Sequence, residues 1–269
     1  MELSGAGIAE LSLLSLVLLV IAGFAAGWVD AVVGGGGLIQ LPALLLVPGI
    51  SPVQALATNK LGSICGTLTS SATYVRRVKP DLKTALPMAG WALTGAVGGA
   101  VCATLLPAEL FMPIILVVLV AVALYTLFKP SLGTAAALRF GHSPVKHHGI
   151  AWLLGLSIGF YDGLIGPGTG SFLVISLVGL LGYTFLEGSA KAKIVNCATN
   201  LGALLFFVPH GSVLWGLGLL IGAANVAGGY LGARMAVARG SGFVRVIFLV
   251  VVGVLIVKLA FDVLAPLFG

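Results

Sequence analysis

Apolar runs of about 20 residues follow one another along the chain, each long enough to cross a bilayer core as a helix, and this limits the fold more than any motif. Only 8% of the 269 residues are charged and 59% are hydrophobic, against roughly 25% charged in an ordinary soluble domain. A water-soluble globule of this size could not cover its surface with polar atoms. The composition therefore predicts an all-α integral membrane protein. Glycine, at 39 residues, is about twice as frequent as average usage, which signals close helix approach or interrupted helices.

Full-length spans are expected at Ala55–Val75, Ala85–Leu106, Leu110–Phe128, Ile194–Val208 (extended back over Lys193), Val213–Ala233 and Val244–Val257. Two regions read differently. Leu11–Val33 runs into Gly34–Gly37 and is followed by the short apolar piece Leu38–Val47, stopped by Pro48-Gly49. Ile150–Ile165 runs into Gly166-Pro167-Gly168-Thr169-Gly170 and is followed by Ser171–Leu181, stopped by Gly182. A helix of about 11 residues rises only about 16 Å, half the hydrocarbon thickness.

The halves resemble each other. Gly27-Trp28-Val29-Asp30-Ala31 matches Gly159-Phe160-Tyr161-Asp162-Gly163 at an offset of 132. Ala57-Thr58-Asn59-Lys60-Leu61 matches Ala190-Lys191-Ala192-Lys193-Ile194 at 133, as do Gly95, Gly99 and Ala100 with Gly228, Gly232 and Ala233. Such duplication is typical of transporters, whose site lies where the repeats meet. The expected organisation is an N-terminal repeat over 1–130, a basic cytoplasmic linker over 131–149 and a C-terminal repeat over 150–269.

Between the apolar segments, Lys and Arg fall in three stretches: Arg76–Lys83, Lys129–Lys146 and Arg234–Arg245. The loops Pro107–Glu109 and Pro209–Ser212 have none. Making all three basic stretches cytoplasmic requires the second half to enter and leave once on the same side. Each half is then a glycine-tipped helical hairpin plus three transmembrane helices, the repeats are inverted, and both termini lie outside. The N-terminus carries Glu2 and Glu10 rather than a basic stretch, so a cleaved signal peptide is not expected.

Charge inside the apolar segments is restricted to Asp30, Lys60, Asp162 and Lys193, with Lys191, Arg234 and Lys258 near segment ends. An ion near the centre of a span costs at least about 2.5–3.5 kcal/mol, which some partner must offset. Lys60 and Lys193 are equivalent and would enter an inverted pair from opposite sides, so two ammonium groups sharing one cavity would call for an anion. The glycine runs, with Gly35, Gly36 and Gly168 exposing backbone N–H groups at the start of a helix, are suited to oxyanions. Thr58, Asn59, Ser63, Thr169, Ser171, Asn196, Thr199 and Asn200 are candidate neutral partners. Asp30 and Asp162 admit two readings: proton binding coupled to transport, or a structural pairing with Lys193 and Lys60. Gly95/Gly99 and Gly228/Gly232 read as packing surfaces.

Other classes find little support. The basic residues mark orientation, so nucleic acid is not an expected partner. Cys65, Cys102 and Cys197 lie singly in apolar segments and imply no disulfide framework. His142, His147 and His148 read as part of a solvated basic loop, and neither a metal site nor a cofactor motif is found. Lys258 and Asp262, four apart, read as an interfacial ion pair. No nucleophile–base pair points to an enzyme.

The segment Gly27–Leu38, Leu41-Pro42-Ala43-Leu44-Leu45 and Ala57–Leu61, with Gly159–Gly163, Gly166–Phe172 and Ala190–Asn196, resembles the TauE/SafE family of sulfite and organosulfonate exporters, also called the toluene-sulfonate uptake permease family. The resemblance runs from about Leu16 to Asp262. It implies a multi-pass permease of the bacterial inner membrane that moves sulfite or small organosulfonate anions, with export the suggested direction. Membrane lipid is an expected neighbour and a homo-oligomer is allowed. Uptake of another organic anion and a passive anion channel remain the alternative readings.

Overall fold

The computed structural model describes residues 11–107, 138–140 and 143–268. The expected span Leu110–Phe128, the basic residue Lys129, His142 and the side chains of Lys258 and Asp262 lie outside what is described. Eight helices are present among the described residues and no strands: α1 (Leu13–Val33), α2 (Gly37–Leu45), α3 (Pro52–Val78), α4 (Leu82–Leu105), α5 (Pro144–Leu164), α6 (Thr169–Gly179), α7 (Phe185–Phe207) and α8 (Trp215–Phe268). Gly240, at φ 73° and ψ −170°, interrupts α8, at the junction expected between Val213–Ala233 and Val244–Val257.

Boundaries follow local chemistry. Ser51 and Gln54 form a capping box at the start of α3 with Pro52 in its first turn, and Thr184 with Glu187 repeats the device on α7, each satisfying otherwise orphaned N–H groups. Asp81 caps α4 by accepting from the Lys83 N–H. Helix α1 ends on Gly34 at φ 81°, a left-handed conformation that costs glycine little. Pro144 starts α5, six residues before the Ile150 start read from the apolar run.

Apolar side chains gather in two clusters with the charged residues between them. One joins Leu19 near the start of α1, Leu44 at the end of α2, Ala55–Ala57 at the start of α3, Ala103 at the end of α4, Phe207 at the end of α7 and Leu217 at the start of α8. The other joins Tyr74 at the end of α3, Met88 near the start of α4, Ala151 on α5, Leu177 on α6, Phe185 at the start of α7 and Val244 just beyond Gly240. The Arg and Lys residues at 76–83, 139–146 and 234–245 all border the second cluster. Outside, the bundle is apolar: Leu18, Leu86, Leu153, Leu205 and Leu219 are each more than half exposed. Polar residues such as Thr58, Asn59, Thr67 and Ser70 of α3 are buried instead. This distribution reverses that of a soluble protein and suits a lipid surround. By length and composition alone, α1 and α4 are the described helices apolar enough to cross a membrane, because α3 and α7 carry the polar residues they turn inward.

Glycine brings backbones into contact. Helix α1 runs beside α8, with Gly228 and Gly232 against the backbone of Phe24 and Trp28. Helix α4 runs beside α5, where a Cβ on Gly159 would sit 2.7 Å from the Ala92 Cα and one on Gly99 only 2.7 Å from the Leu164 N. These are the expected small-residue packing surfaces, and they tie helices of the first half of the chain to helices of the second.

Candidate functional site

Four of the buried charges among the described residues form two ion pairs, each joining the two halves of the chain. Lys60, in the third turn of α3, lies 2.7 Å from Asp162 Oδ1 near the end of α5. Lys193, in the third turn of α7, lies 2.8 Å from Asp30 Oδ2 near the end of α1. All four residues are buried, at 8% exposure or less. The cluster is charge-neutral, so each lysine has a protein counter-ion, and the expectation that two unpaired ammonium groups require an anion is corrected. A carboxylate near a helix C-terminus faces the unfavourable end of the dipole; the lysine from the other half offsets that.

The two glycine segments meet beside these pairs. The Ser171 N–H donates to the Gly34 carbonyl at 3.0 Å, and the Ser171 hydroxyl donates to the Val33 carbonyl at 2.9 Å. Gly34 and Gly170 touch backbone to backbone. The Lys60 ammonium lies against Gly166, where a Cβ would stand 2.9 Å from Nζ. The Thr169 hydroxyl is 2.6 Å from Asp162 Oδ1 and 2.7 Å from the Gly166 carbonyl, and its one proton serves either acceptor.

A narrow polar cavity opens here, with room for about one water-sized particle. Of the residues predicted from sequence, Asn59, Lys60, Gly168, Thr169, Asn196, Asn200, Asp30 and Asp162 line it, together with Ser63. Among the described residues, Asn59 Oδ1, Asp162 Oδ2 and Asn200 Nδ2 are buried without a hydrogen-bond partner. All three residues belong to the cavity lining, where burial makes unmet capacity costly; the other two such atoms, His147 Nδ1 and His148 Nδ1, lie near the start of α5.

Other predicted residues lie elsewhere. Lys193 is turned to Asp30 and does not line the cavity. The Thr58 hydroxyl accepts from the Leu214 N–H at 3.1 Å, tying α3 to the entry of α8. Gly36 packs on the Ala26 carbonyl and Asp30 Cβ of α1, and Gly35 borders Val29 and Val251; close packing, not an oxyanion, explains both. Gly34 and Gly37 line the cavity in their place. Ser171 and Thr199 spend their hydroxyls on backbone or neighbouring side-chain oxygens.

His147 is not in a solvated loop. It sits on α5, 7% exposed, with Nε2 2.8 Å from the Tyr183 hydroxyl. Beside it Lys191 donates to the Asp81 carbonyl at 2.8 Å and lies 4.5 Å from the Tyr183 ring centre. Partial burial works to raise the Asp81 pKa, but the Thr84 hydroxyl, Lys191 and the backbone N–H groups of Lys83 and Thr84 outweigh it and hold the carboxyl below the usual range.

A pair of amides was absent from the sequence expectations. Gln40 on α2 donates to the Asn59 carbonyl at 3.1 Å and accepts from Asn225 Nδ2 of α8 at 2.6 Å. This bridge fixes the backbone next to Lys60. A lone Gln in Leu38–Val47 and a lone Asn in Val213–Ala233 were the available signals, since an uncharged amide buried in an apolar run also needs partners.

An apolar exterior around a buried, neutral Lys–Asp cluster, with unsatisfied amide and carboxylate atoms at its centre, defines an all-helical membrane protein with an internal polar site. Comparison with known proteins makes the class specific: residues 19–259 match the model of the family described as sulfite exporter TauE/SafE. The chain belongs to that family. It is 39% identical over 252 residues to a probable membrane transporter protein, ORF9, of a Sinorhizobium species, covering 94% of this chain and 95% of that protein. It is 32% identical over 253 residues to a probable membrane transporter protein of Haemophilus influenzae, covering 92% and 95%. It is also 32% identical over 239 residues to the probable membrane transporter protein YfcA of Escherichia coli K12, covering 88% and 86%. No solved structure matches the chain. The protein is a bacterial membrane transporter rather than an enzyme.

Proposed function

We propose that the protein is a secondary transporter that carries sulfite or a small organosulfonate anion, one proton at a time, across the bacterial inner membrane, with export the working direction. The observation that carries this reading is the clustering of Lys60, Asn200 Nδ2, Asn59 Oδ1 and Asp162 Oδ2 about one cavity. The family description supports the sulfur anion. Asp162 and the anion compete for the Lys60 ammonium. Protonating Asp162 frees that ammonium for the anion's oxygens beside the already unpartnered Asn200 Nδ2, while Thr169, Asn196 and the Gly168 backbone fit its remaining edge. Hydrogensulfite or a sulfonate, each a monoanion, transfers no net charge when it moves with one proton, so flux follows the anion and proton gradients and runs outward when cytoplasmic anion is abundant. The cavity holds only about one water, so loading requires the glycine segments to separate.

The architecture we propose for this cycle is the inverted pair, with residues 1–130 and 150–269 as repeats joined by the basic linker. Several placements support it. The start of α1 and the end of α2 border one groove, through Leu18 and Leu46, so the α1–α2 segment enters and leaves at one end of the bundle. Ala151 of α5 and Leu177 of α6 join the other apolar cluster, and Val78, Phe140 and Val237, which lie within the three described basic stretches, pack against it. Reporter fusions are expected to read external at Gly211 and cytoplasmic at Lys79; a cytoplasmic reading at Gly211 would overturn the topology.

Transport is tested with the purified full chain in proteoliposomes loaded with sulfite. Efflux is expected to carry protons outward, to accelerate when the lumen is acidified, and to ignore an imposed membrane potential. A flux that follows the potential and ignores the pH gradient identifies a passive channel and overturns the coupled reading. Absence of flux for sulfite and short sulfonates alike, in protein that keeps its thermal transition, overturns the substrate class.

A further inference from the structure

A second recess, apolar over most of its wall, lies in the groove between the last turns of α3 and the stretch of α8 approaching Gly240. Arg76, Arg77, Arg234, Tyr230, Thr69 and Thr73 line it. Arg76 and Arg77 occupy the last turn of α3, where cations also meet the negative end of the helix dipole. Arg234 donates to the Tyr230 hydroxyl at 3.2 Å. What the groove lacks is negative charge. The four carboxylates among the described residues are engaged elsewhere: Asp30 with Lys193, Asp162 with Lys60, Asp81 with Thr84 and Lys191, and Glu187 with Thr184. Three exposed arginines therefore line one groove with no protein counter-ion among the described residues.

The chemistry of the groove changes along its length. One turn inward on the same faces, Leu68 of α3 and Val226 of α8 are exposed, at 55% and 38%. Arginine at the rim and open apolar surface below it match a ligand with an anionic head and a hydrocarbon tail. A free anion would use only the upper part, and a soluble protein partner would have no use for the lower part. Guanidinium forks suit phosphate oxygens in particular, and basic pockets between helices at a membrane face are the usual place for anionic headgroups. We propose that this groove binds one anionic phospholipid, with its phosphodiester on Arg76, Arg77 and Arg234 and its acyl chain along Leu68 and Val226. The site is independent of what the central cavity carries. A lipid bridging α3 and α8 would couple the helix that bears Lys60 to the helix that bears Asn225.

The test uses the full chain in a neutral detergent, with native mass spectrometry and thermal unfolding as readouts. Phosphatidylglycerol is expected to be retained at one molecule per chain and to raise the transition temperature, and phosphatidylcholine to do neither. The variant R76Q/R77Q/R234Q is expected to bind phosphatidylglycerol on the order of a hundredfold more weakly, from about a factor of five per guanidinium. Should that variant fail to give a monodisperse protein, R234Q and R234K separate the same question: the first weakens retention and the second largely keeps it. Equal stabilisation by phosphatidylcholine, or unchanged retention by the triple variant, would overturn the site. Inorganic phosphate reproducing the whole shift would show a soluble anion site instead of a lipid site. A dimer that excludes lipid would show that the groove belongs to a second copy of the chain.

Discussion

Lys60→Met is expected to cost the protein about 3–5 kcal/mol of stability and all sulfite transport, whereas the double variant Lys60→Met/Asp162→Asn regains most of the stability and none of the transport. Removing one member of a buried ion pair leaves the other charge uncompensated, and that penalty exceeds what the intact pair contributes. Among the described residues Asp162 has no second cation to turn to: its Oδ2 has no partner, and the Thr169 hydroxyl reaches only Oδ1. With Asn at 162 the side-chain oxygen still accepts from Thr169, and the orphan charge is gone. Transport depends on something the double variant lacks, an ammonium that an anion and a carboxylate contest. Thermal unfolding in detergent and efflux from proteoliposomes separate the two effects. If the double variant transports at the wild-type rate, the Lys60–Asp162 pair is only a structural bridge. If Lys60→Met unfolds at the wild-type temperature, the pair is not buried as described.

The same residues show how far the sequence carried. Four charges in apolar segments were legible at once, because a charge in hydrocarbon must have a partner, and their equivalence between the halves made them the centre of the site. Their mutual pairing was one of two readings from sequence. Whether Lys60 meets Asp162 or an outside anion depends on how closely α3 and the end of α5 approach, a tertiary matter that neither helix's sequence states. The starts of α3, α4 and α7 lie ahead of the expected Ala55, Ala85 and Lys193, because the reading followed apolar runs and passed over the Ser51, Asp81 and Thr184 caps that begin these helices. The start of α5 was missed because polar Lys146, His147 and His148 suggested a loop, while the structure buries His147 against Tyr183. Gly35 and Gly36 illustrate a further limit. A glycine run signals bare backbone, but the sequence does not say whether ligand or neighbouring helix occupies the space, and here the neighbour is α1. Gln40 and Asn225 escaped because the search followed charge, although a buried amide obeys the same demand for partners.

Alanine at Gly170 is expected to abolish transport and to lower stability by about 1–3 kcal/mol, the range for overpacking a filled interior. The added Cβ would press on the Gly34 backbone, with the Gly34 carbonyl oxygen at 2.6 Å and its carbonyl carbon at 2.9 Å. Neither can yield as a flexible side chain would. Relief requires the two glycine segments to move apart, which stretches the Ser171 N–H to Gly34 bond and the Ser171 hydroxyl to Val33 bond and shifts Thr169 away from Asp162. Alanine at Gly34 adds a second penalty, since φ is 81° there and a side chain disfavours the left-handed region by roughly 1 kcal/mol. Gly90→Ala and Gly149→Ala are the controls: both lie within helices and an added Cβ meets nothing within 4 Å. Each is expected to keep transport and to raise stability slightly, because alanine loses less backbone entropy in a helix. The contrast isolates contact between the segments from glycine content as such. Full transport by Gly170→Ala at an unchanged unfolding temperature would mean that the segments do not touch in the protein. In that event the cavity they share with Lys60 and Asp162 would lose its basis.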